Sequence, residues 1–259
     1  PCGGIKMSGV AKIRVLERAV DVMNSLAEME QPSGLSEIVE RTSLPKTTVF
    51  RILNTLEEHS LVMRCNGQYA IGPAVLFWAS AYKVQNVLLE VAKPHMVELW
   101  DFTRETVHLV FFDGENAYYI EKLDTPHPVR MRSRIGAHLT LYSTAAGKAI
   151  LSALSQEEID AYLNKVALTR KTPNTIVDKE KLMAELSKIR QEGFAKDIQE
   201  NEEGICCVGA PILQNGKPIG AISVSAPAYR FTEEKMLEAG RKVQEIVAKV
   251  SEALSRTPV

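Results

Sequence analysis

Residues 43–56, Ser-Leu-Pro-Lys-Thr-Thr-Val-Phe-Arg-Ile-Leu-Asn-Thr-Leu, constrain this chain more than any other stretch. Val49, Ile52, Leu53 and Leu56 recur at i, i+3, i+4 and i+7, the spacing of one buried helical stripe, and Pro45 suits a first helical position. The opposite face carries Thr47, Arg51 and Asn54, with Lys46, Thr48 and Thr55 beside them. Those side chains can meet phosphates and base edges, so the pattern predicts a DNA-reading helix. A lone amphipathic helix with a polar outside would read the same way, and the neighbouring residues decide between the two.

Residues 1–9 are small, contain glycine and lack periodicity; we expect a tail without structural role. Lys12, Arg14 and Arg18 then bring positive charge to a first helix whose expected stripe is Val15, Leu16, Ala19, Val20, Met23 and Leu26. Gln31-Pro32-Ser33-Gly34 breaks it, and Leu35, Ile38 and Val39 mark a second helix with Glu37 in its first turn. A short turn through Ser43 and Leu44 leads into the opening helix, the layout of a helix-turn-helix. After it, two β-prone runs flank Asn66-Gly67, the signature of a tight hairpin. Three helices and a hairpin over residues 10–72 predict a winged helix, with Arg14, Lys46, Thr47, Thr48, Arg51, Asn54, Arg64, Asn66 and Gly67 as the DNA-facing set.

Charge limits how such a unit could work. The chain of 259 residues has a formal net charge of −1, and acidic and basic side chains balance over residues 35–64. Nonspecific DNA affinity comes from neutralised phosphates, so this balance argues for a dimer reading two half-sites of a duplex operator. Apolar runs are too short to span a bilayer, and a cytoplasmic protein is expected. Cys2, Cys65, Cys206 and Cys207 show neither a CxxC pair nor regular spacing, so no disulfide framework, metal site or cofactor is expected from them.

Residues 73–85 read as a linker helix, nearly free of charge and bearing Phe77, Trp78 and Tyr82; a second copy of the chain is a natural partner for that surface. A helical pattern continues over residues 86–103, where Pro94 should start or kink a turn. Beyond Arg104 the period becomes two. Strands are expected over residues 107–112, 117–123, 129–134, 194–200, 205–213 and 219–225, and helices over 143–153, 156–164, 179–192 and 232–254. Residues 86–255 thus form a second domain with one antiparallel sheet flanked by helices, and the whole chain is α+β.

A candidate anion pocket lies within that domain. Ser143-Thr144-Ala145-Ala146-Gly147-Lys148 puts small residues at a helix start, where free N–H groups favour a carboxylate or phosphate. In a strand Cys206 and Cys207 face opposite ways, and Ser223 and Ser225 share one face of the next strand. Asp197 would add an acceptor for a ligand hydroxyl. Two other readings stand beside this one: Cys207 as the nucleophile of a small hydrolase with His108, His127 or His138 as base, and Cys206 and Cys207 with histidines as a metal or redox sensor.

Val15-Leu-Glu-Arg-Ala-Val, Leu44-Pro-Lys-Thr-Thr-Val-Phe-Arg-Ile-Leu-Asn-Thr-Leu-Glu, Ser143-Thr-Ala-Ala-Gly-Lys-Ala and Gly204-Ile-Cys-Cys-Val-Gly-Ala-Pro-Ile together resemble the IclR-type bacterial transcription regulators, in order and spacing. The resemblance implies a winged helix, a helical linker and a C-terminal GAF/PAS-like effector domain. It also implies a homodimer, often a homotetramer, that binds a palindromic operator and responds to a small organic acid. Carried onto this chain, it gives an effector site of Ala145 and Ala146 at the carboxylate, Asp197, Cys207, Ser223 and Ser225 at polar groups, and Met131, Leu139 and Ile205 as apolar wall. His108, His127 and His138 lie in unrelated contexts and no oxyanion motif is evident beyond the helix start, so the protein is not expected to be an enzyme.

Overall fold

The computed structural model describes residues 13–29, 31–129, 131 and 133–256; the expected tail and Cys2 lie outside them. The chain divides into two compact units that meet at Asn86 and Val87.

In the first unit, helices α1 (Arg14–Glu28), α2 (Leu35–Thr42) and α3 (Lys46–Glu58) precede strands β1 (Val62–Cys65) and β2 (Gln68–Ile71), and α4 (Ala74–Gln85) closes it. Gly34 starts α2: its N–H donates to Glu37 Oε2 at 2.7 Å, a carboxylate in the first turn. Ser43 turns the chain between α2 and α3 with a left-handed φ of 53°. Pro45 sits one residue before α3, as its cap, with φ −57° and ψ 136°, and helix formation starts only at Lys46. Asn66 and Gly67 hold φ values of 54° and 79°, both positive as a two-residue primed turn requires. Ser33 and Tyr69 exchange backbone hydrogen bonds of 2.9 and 2.8 Å, so the α1–α2 connection is fastened to the hairpin by a single antiparallel bridge.

The core of this unit is Val22, Leu26, Ile38, Val49, Ile52, Leu53, Val62 and Tyr69. The stripe expected for α1 is therefore wrong in its first half. Val15, Leu16 and Val20 are 56–59% exposed, because α1 meets α2 and α3 only through its later turns, where Val22, Ser25 and Leu26 point inward. No residue of α4 is buried.

The second unit opens with α5 (Val87–Thr103), which contains Pro94. No turn starts there: Pro94 lies near the middle of a helix bounded by Val87 and Thr103, and the chain breaks instead at Asn86. A six-stranded antiparallel sheet follows in the order β5-β4-β3-β8-β7-β6, built from β3 (Thr106–Phe112), β4 (Ala117–Leu123), β5 (His138–Leu139), β6 (Ala195–Ile198), β7 (Ile205–Gln214) and β8 (Lys217–Pro227). Helices α6 (Ala145–Ser152), α7 (Gln156–Lys165) and α8 (Lys179–Glu192) lie between β5 and β6, and α9 (Glu233–Arg256) ends the chain. The strand expected over residues 129–134 does not form at Val129, Met131, Ser133 or Arg134; Arg130 and Arg132 lie outside the described residues. The third strand is the short β5, paired to β4 through Ala117–Leu139 and Tyr118–His138.

Strand alternation divides this domain into two cores. Val107, Leu109, Cys206, Val208, Ile222 and Val224 pack with α5 and α9. Val110, Phe112, Ala195 and Ala221 pack with α6, α7 and α8. Gly147 brings α6 against its own entry segment: a Cβ there would stand 2.4 Å from Leu141 Cα and 2.5 Å from Leu141 O. Both obstacles are backbone, so the clash cannot be relieved by a rotamer. Gly147→Ala is expected to cost the second unit about 3 kcal/mol, near the upper range of overpacking penalties, read as a lower midpoint in denaturant unfolding.

Candidate functional site

Two groups of residues carry the expected functions, one in each unit. In the first, α3 turns Val49, Ile52 and Leu53 inward. That leaves Lys46, Thr47 and Arg51 exposed, with Thr48 and Asn54 half-buried at the edges. Phe50 is 41% exposed beside Arg51, an apolar contact on this face that the polar pattern did not reveal. In the wing, Arg64, Asn66 and Gly67 are exposed at the hairpin tip. The Arg64 guanidinium lies 5.3 Å from the centroid of the Tyr69 ring, which gives a flexible side chain a fixed base. Arg14 is exposed in the first turn of α1.

In the second unit the strand register brings most of the expected effector residues onto one sheet face. Asp197, Cys207, Ser225 and Thr106 pair successively across β6, β7, β8 and β3. One step along, Ala195, Gly209, Ser223, His108 and Lys122 form the next row. Ile205 shares the face of Cys207, two residues before it on β7. The first turn of α6 rests on this floor: a Cβ on Gly209 would be 3.0 Å from the Ala146 nitrogen. Thr144 caps α6 by accepting the Gly147 N–H at 3.1 Å, and its own hydroxyl donates to Thr140 O at 2.7 Å. The N–H groups of Ala145 and Ala146 have no partner among the described residues, although both residues are nearly inaccessible. Two buried donors at the positive end of a helix can hold a carboxylate.

The chain following β4 turns back toward this face. Lys122 Nζ donates to Met131 O at 3.2 Å and Ser133 O at 3.3 Å, and Arg230 Nη2 donates to Val129 O at 3.0 Å while gripping Glu105 with bonds of 2.6 and 2.8 Å. Met131 is thereby held near the floor. Leu139 is not part of the cluster. It lies on β5 and lines a separate cavity of about 330 Å³ with Phe112, Leu141, Leu154, Tyr162 and Val166.

Asp197 already has structural work. Its Oδ1 accepts the Glu200 N–H at 2.7 Å and, more weakly, the Asn201 N–H at 3.4 Å, fixing the turn after β6. Burial, reinforced by the nearby Glu200 charge, pushes this carboxyl up to about 7. Below the site the fully buried Lys148 of α6 donates to Glu200 Oε1 at 2.5 Å and lies 3.5 Å from Glu185. Sequence reading missed this pair; a lysine inside the apolar run 145–151 was its only signal.

Chemistry at Cys207 argues against the hydrolase. Burial, then the Asp197 charge, raises its thiol well above the ordinary value, so it is held as a thiol. Thr106, not His108, stands in its row of the register, with β8 between, and His127 and His138 are exposed. Cys206 faces the other core, and among the described residues no group of three His, Cys, Asp or Glu could hold a metal ion.

Residues 80–252 match the family described as bacterial transcriptional regulator IclR C-terminal, and residues 15–64 match the IclR helix-turn-helix domain. The chain belongs to the IclR family. It is 35% identical over 221 residues to the HTH-type transcriptional regulator KdgR of Escherichia coli K12, covering 84% of this chain and 83% of that protein. It is 32% identical over 248 residues to the HTH-type transcriptional repressor AllR of Salmonella typhi, covering 95% and 91%. The crystal structure of Thermotoga maritima IclR superposes with a TM-score of 0.77 at 35% identity, covering 94% of this chain and all of that one. This IclR-family member is therefore a helix-turn-helix transcription regulator and not an enzyme. No helix among its described residues is long and apolar enough to cross a membrane.

The raised Asp197 value has a pH signature. Its folded value of about 7 lies above the ordinary 3.8, so the folded protein holds this proton more tightly than the unfolded chain. That contribution favours folding below about pH 4 and is lost as pH rises through 7. Asp197→Asn, which keeps an acceptor for Glu200, should flatten the fall in melting temperature between pH 4 and 7; an unchanged slope would refute the assignment.

Proposed function

We propose that this IclR-family protein is a cytoplasmic regulator that binds a palindromic duplex operator as a homodimer, or a pair of dimers, and changes its hold on DNA when a small carboxylic acid occupies the second unit. The acid is a keto, sugar or aromatic acid. The observation that carries this reading is the pair of buried N–H groups of Ala145 and Ala146, without a partner among the described residues, above a floor of Gly209, Ser223, Ser225 and Cys207. Small side chains leave room for a ligand, and the helix end supplies the field for its carboxylate. Asp197, Ile205 and Met131 complete the site; Leu139, in its separate cavity, is set apart from it. On the DNA side, Arg51 and Thr47 lead the reading of bases, with Lys46, Thr48, Asn54, Arg64, Asn66, Gly67 and Arg14 as further contacts.

Pairing of two chains is supported by apolar surface in the first unit. Ile13 just before α1, Val15, Leu16 and Val20 on it, and Leu76, Phe77, Trp78 and Val84 on α4 are between 56% and 85% exposed. A surface that apolar is covered at low cost by a copy of itself. Control of DNA by the acid requires that it bind the DNA-competent and incompetent arrangements with different affinity.

With an operator selected from a random duplex library, Arg51→Ala should weaken specific binding by roughly ten- to a hundredfold, the range of one lost bidentate base contact, while acid binding persists. Unchanged footprinting would remove α3 from the groove. A thermal-shift screen of keto, sugar and aromatic acids should find one that raises stability by about 2.7 kcal/mol at a hundred times its Kd. Ser223→Ala should weaken that acid about tenfold and leave DNA binding intact; equal calorimetric affinities would exclude Ser223 from the site.

A further inference from the structure

One group on the effector floor is used by nothing described so far. His108 is fully buried on β3, in register with Ser223 on one side and Lys122 on the other. Its ring packs against Tyr119 with centroids 4.9 Å apart, and its Nε2 shares a 2.7 Å hydrogen bond with Ser133 Oγ. Its Nδ1 is buried with no hydrogen-bond partner among the described residues. A buried polar atom without a partner carries a desolvation cost that a folded protein rarely accepts without function. Burial, with Lys122 nearby, pulls its imidazolium form down to about 3, so Nδ1 belongs to a neutral ring that can donate to or accept from an uncharged oxygen.

The same register gives a length. The Ala146 nitrogen stands over Gly209 on β7, Ser223 lies one strand away on β8 and His108 two strands away on β3. Strands are spaced about 4.8 Å apart, so the helix N–H groups and the imidazole are separated by about 10 Å. Subtracting a hydrogen bond of about 2.9 Å at each end leaves roughly 4 to 6 Å between two ligand oxygens. No side chain larger than that of Ser223 stands between them in this row.

We propose that His108 is a specificity-determining residue of the effector pocket, contacting through Nδ1 an oxygen at the far end of an elongated acid whose carboxylate sits on Ala145 and Ala146. This rests on the acid-binding reading above and narrows it to acids that carry a second oxygen roughly 4 to 6 Å from the carboxylate, on the fourth carbon of an extended chain such as a sugar acid's or across an aromatic ring. A two- or three-carbon acid reaches Ser223 and stops there.

The test is calorimetry on the full chain with four probes: pyruvate, gluconate, benzoate and 4-hydroxybenzoate. At least one long oxygenated probe should bind tenfold or more tighter than its control, gluconate against pyruvate or 4-hydroxybenzoate against benzoate. His108→Gln places an amide near Nε2 and should erase that preference. His108→Asn places one near Nδ1 and should keep most of it, although it loses more ring volume. Melting curves and operator binding report whether the variants fold. If the unmodified chain binds none of the four, both the proposal and the acid-binding reading fall. If a long acid binds and Ser223→Ala weakens it while His108→Gln leaves it unchanged, only the role of His108 falls. Equal affinity for pyruvate and the long acids, or equal loss in both His108 variants, also overturns it.

Discussion

The second unit depends on how closely α6 can approach the sheet. Gly209 has no side chain, so the Ala146 nitrogen comes within 3.0 Å of where a Cβ would stand, and Gly147 lets the same helix press on the Leu141 backbone. Two glycines on opposite elements thus set a helix end directly on a strand. That contact buries the first N–H groups of α6 and leaves the floor beyond them lined by serines and a cysteine. Larger residues at these positions would lift the helix and open the site to water, where a helix end binds anions only weakly.

Beneath this contact lies an unusual concentration of buried charge. Lys148 and Glu200 neutralise each other, and Asp197 is spent on the turn that presents Glu200. Such a network is poor value as stabilisation, because removing two ions from water costs about what their attraction returns. Its geometric effect is clear: α6, α8 and the turn after β6 are tied at one point, so the helix end cannot slide along the sheet. The site is built on bonded parts and not on loose loops.

Much of this architecture was readable in the residues, and the failures have physical causes. Val49, Ile52 and Leu53 announced α3, and Asn66-Gly67 announced its turn, because positive φ is a local demand that few residues meet. The effector floor was half legible: alternation showed that Ser223 and Ser225 share a face, but the register that sets His108 beside Ser223 joins residues more than a hundred positions apart. The α1 stripe was misjudged because periodicity reveals an apolar face without saying what covers it; Val15 and Leu16 keep the spacing and remain exposed. Pro94 does not end α5, because propensity is weak against the packing of Leu88, Leu89, Met96 and Leu99 on either side of it. The strand expected over residues 129–134 had only Val129 as a β-branched residue, and the carbonyls of Val129, Met131 and Ser133 accept from Arg230 and Lys122 side chains instead of from a strand.

Adjacent residues of β7 face different worlds: Cys207 looks to α6, and Cys206 looks to α5 and α9. A ligand of the kind proposed above would press on Cys207 and Ser223, whose strand neighbours Cys206, Ile222 and Val224 belong to the core shared with α5 and α9. On that reading the sheet would act as a lever plate, handing pressure received on its polar side to close-packed aliphatic side chains and so to α5, the helix that opens the second unit.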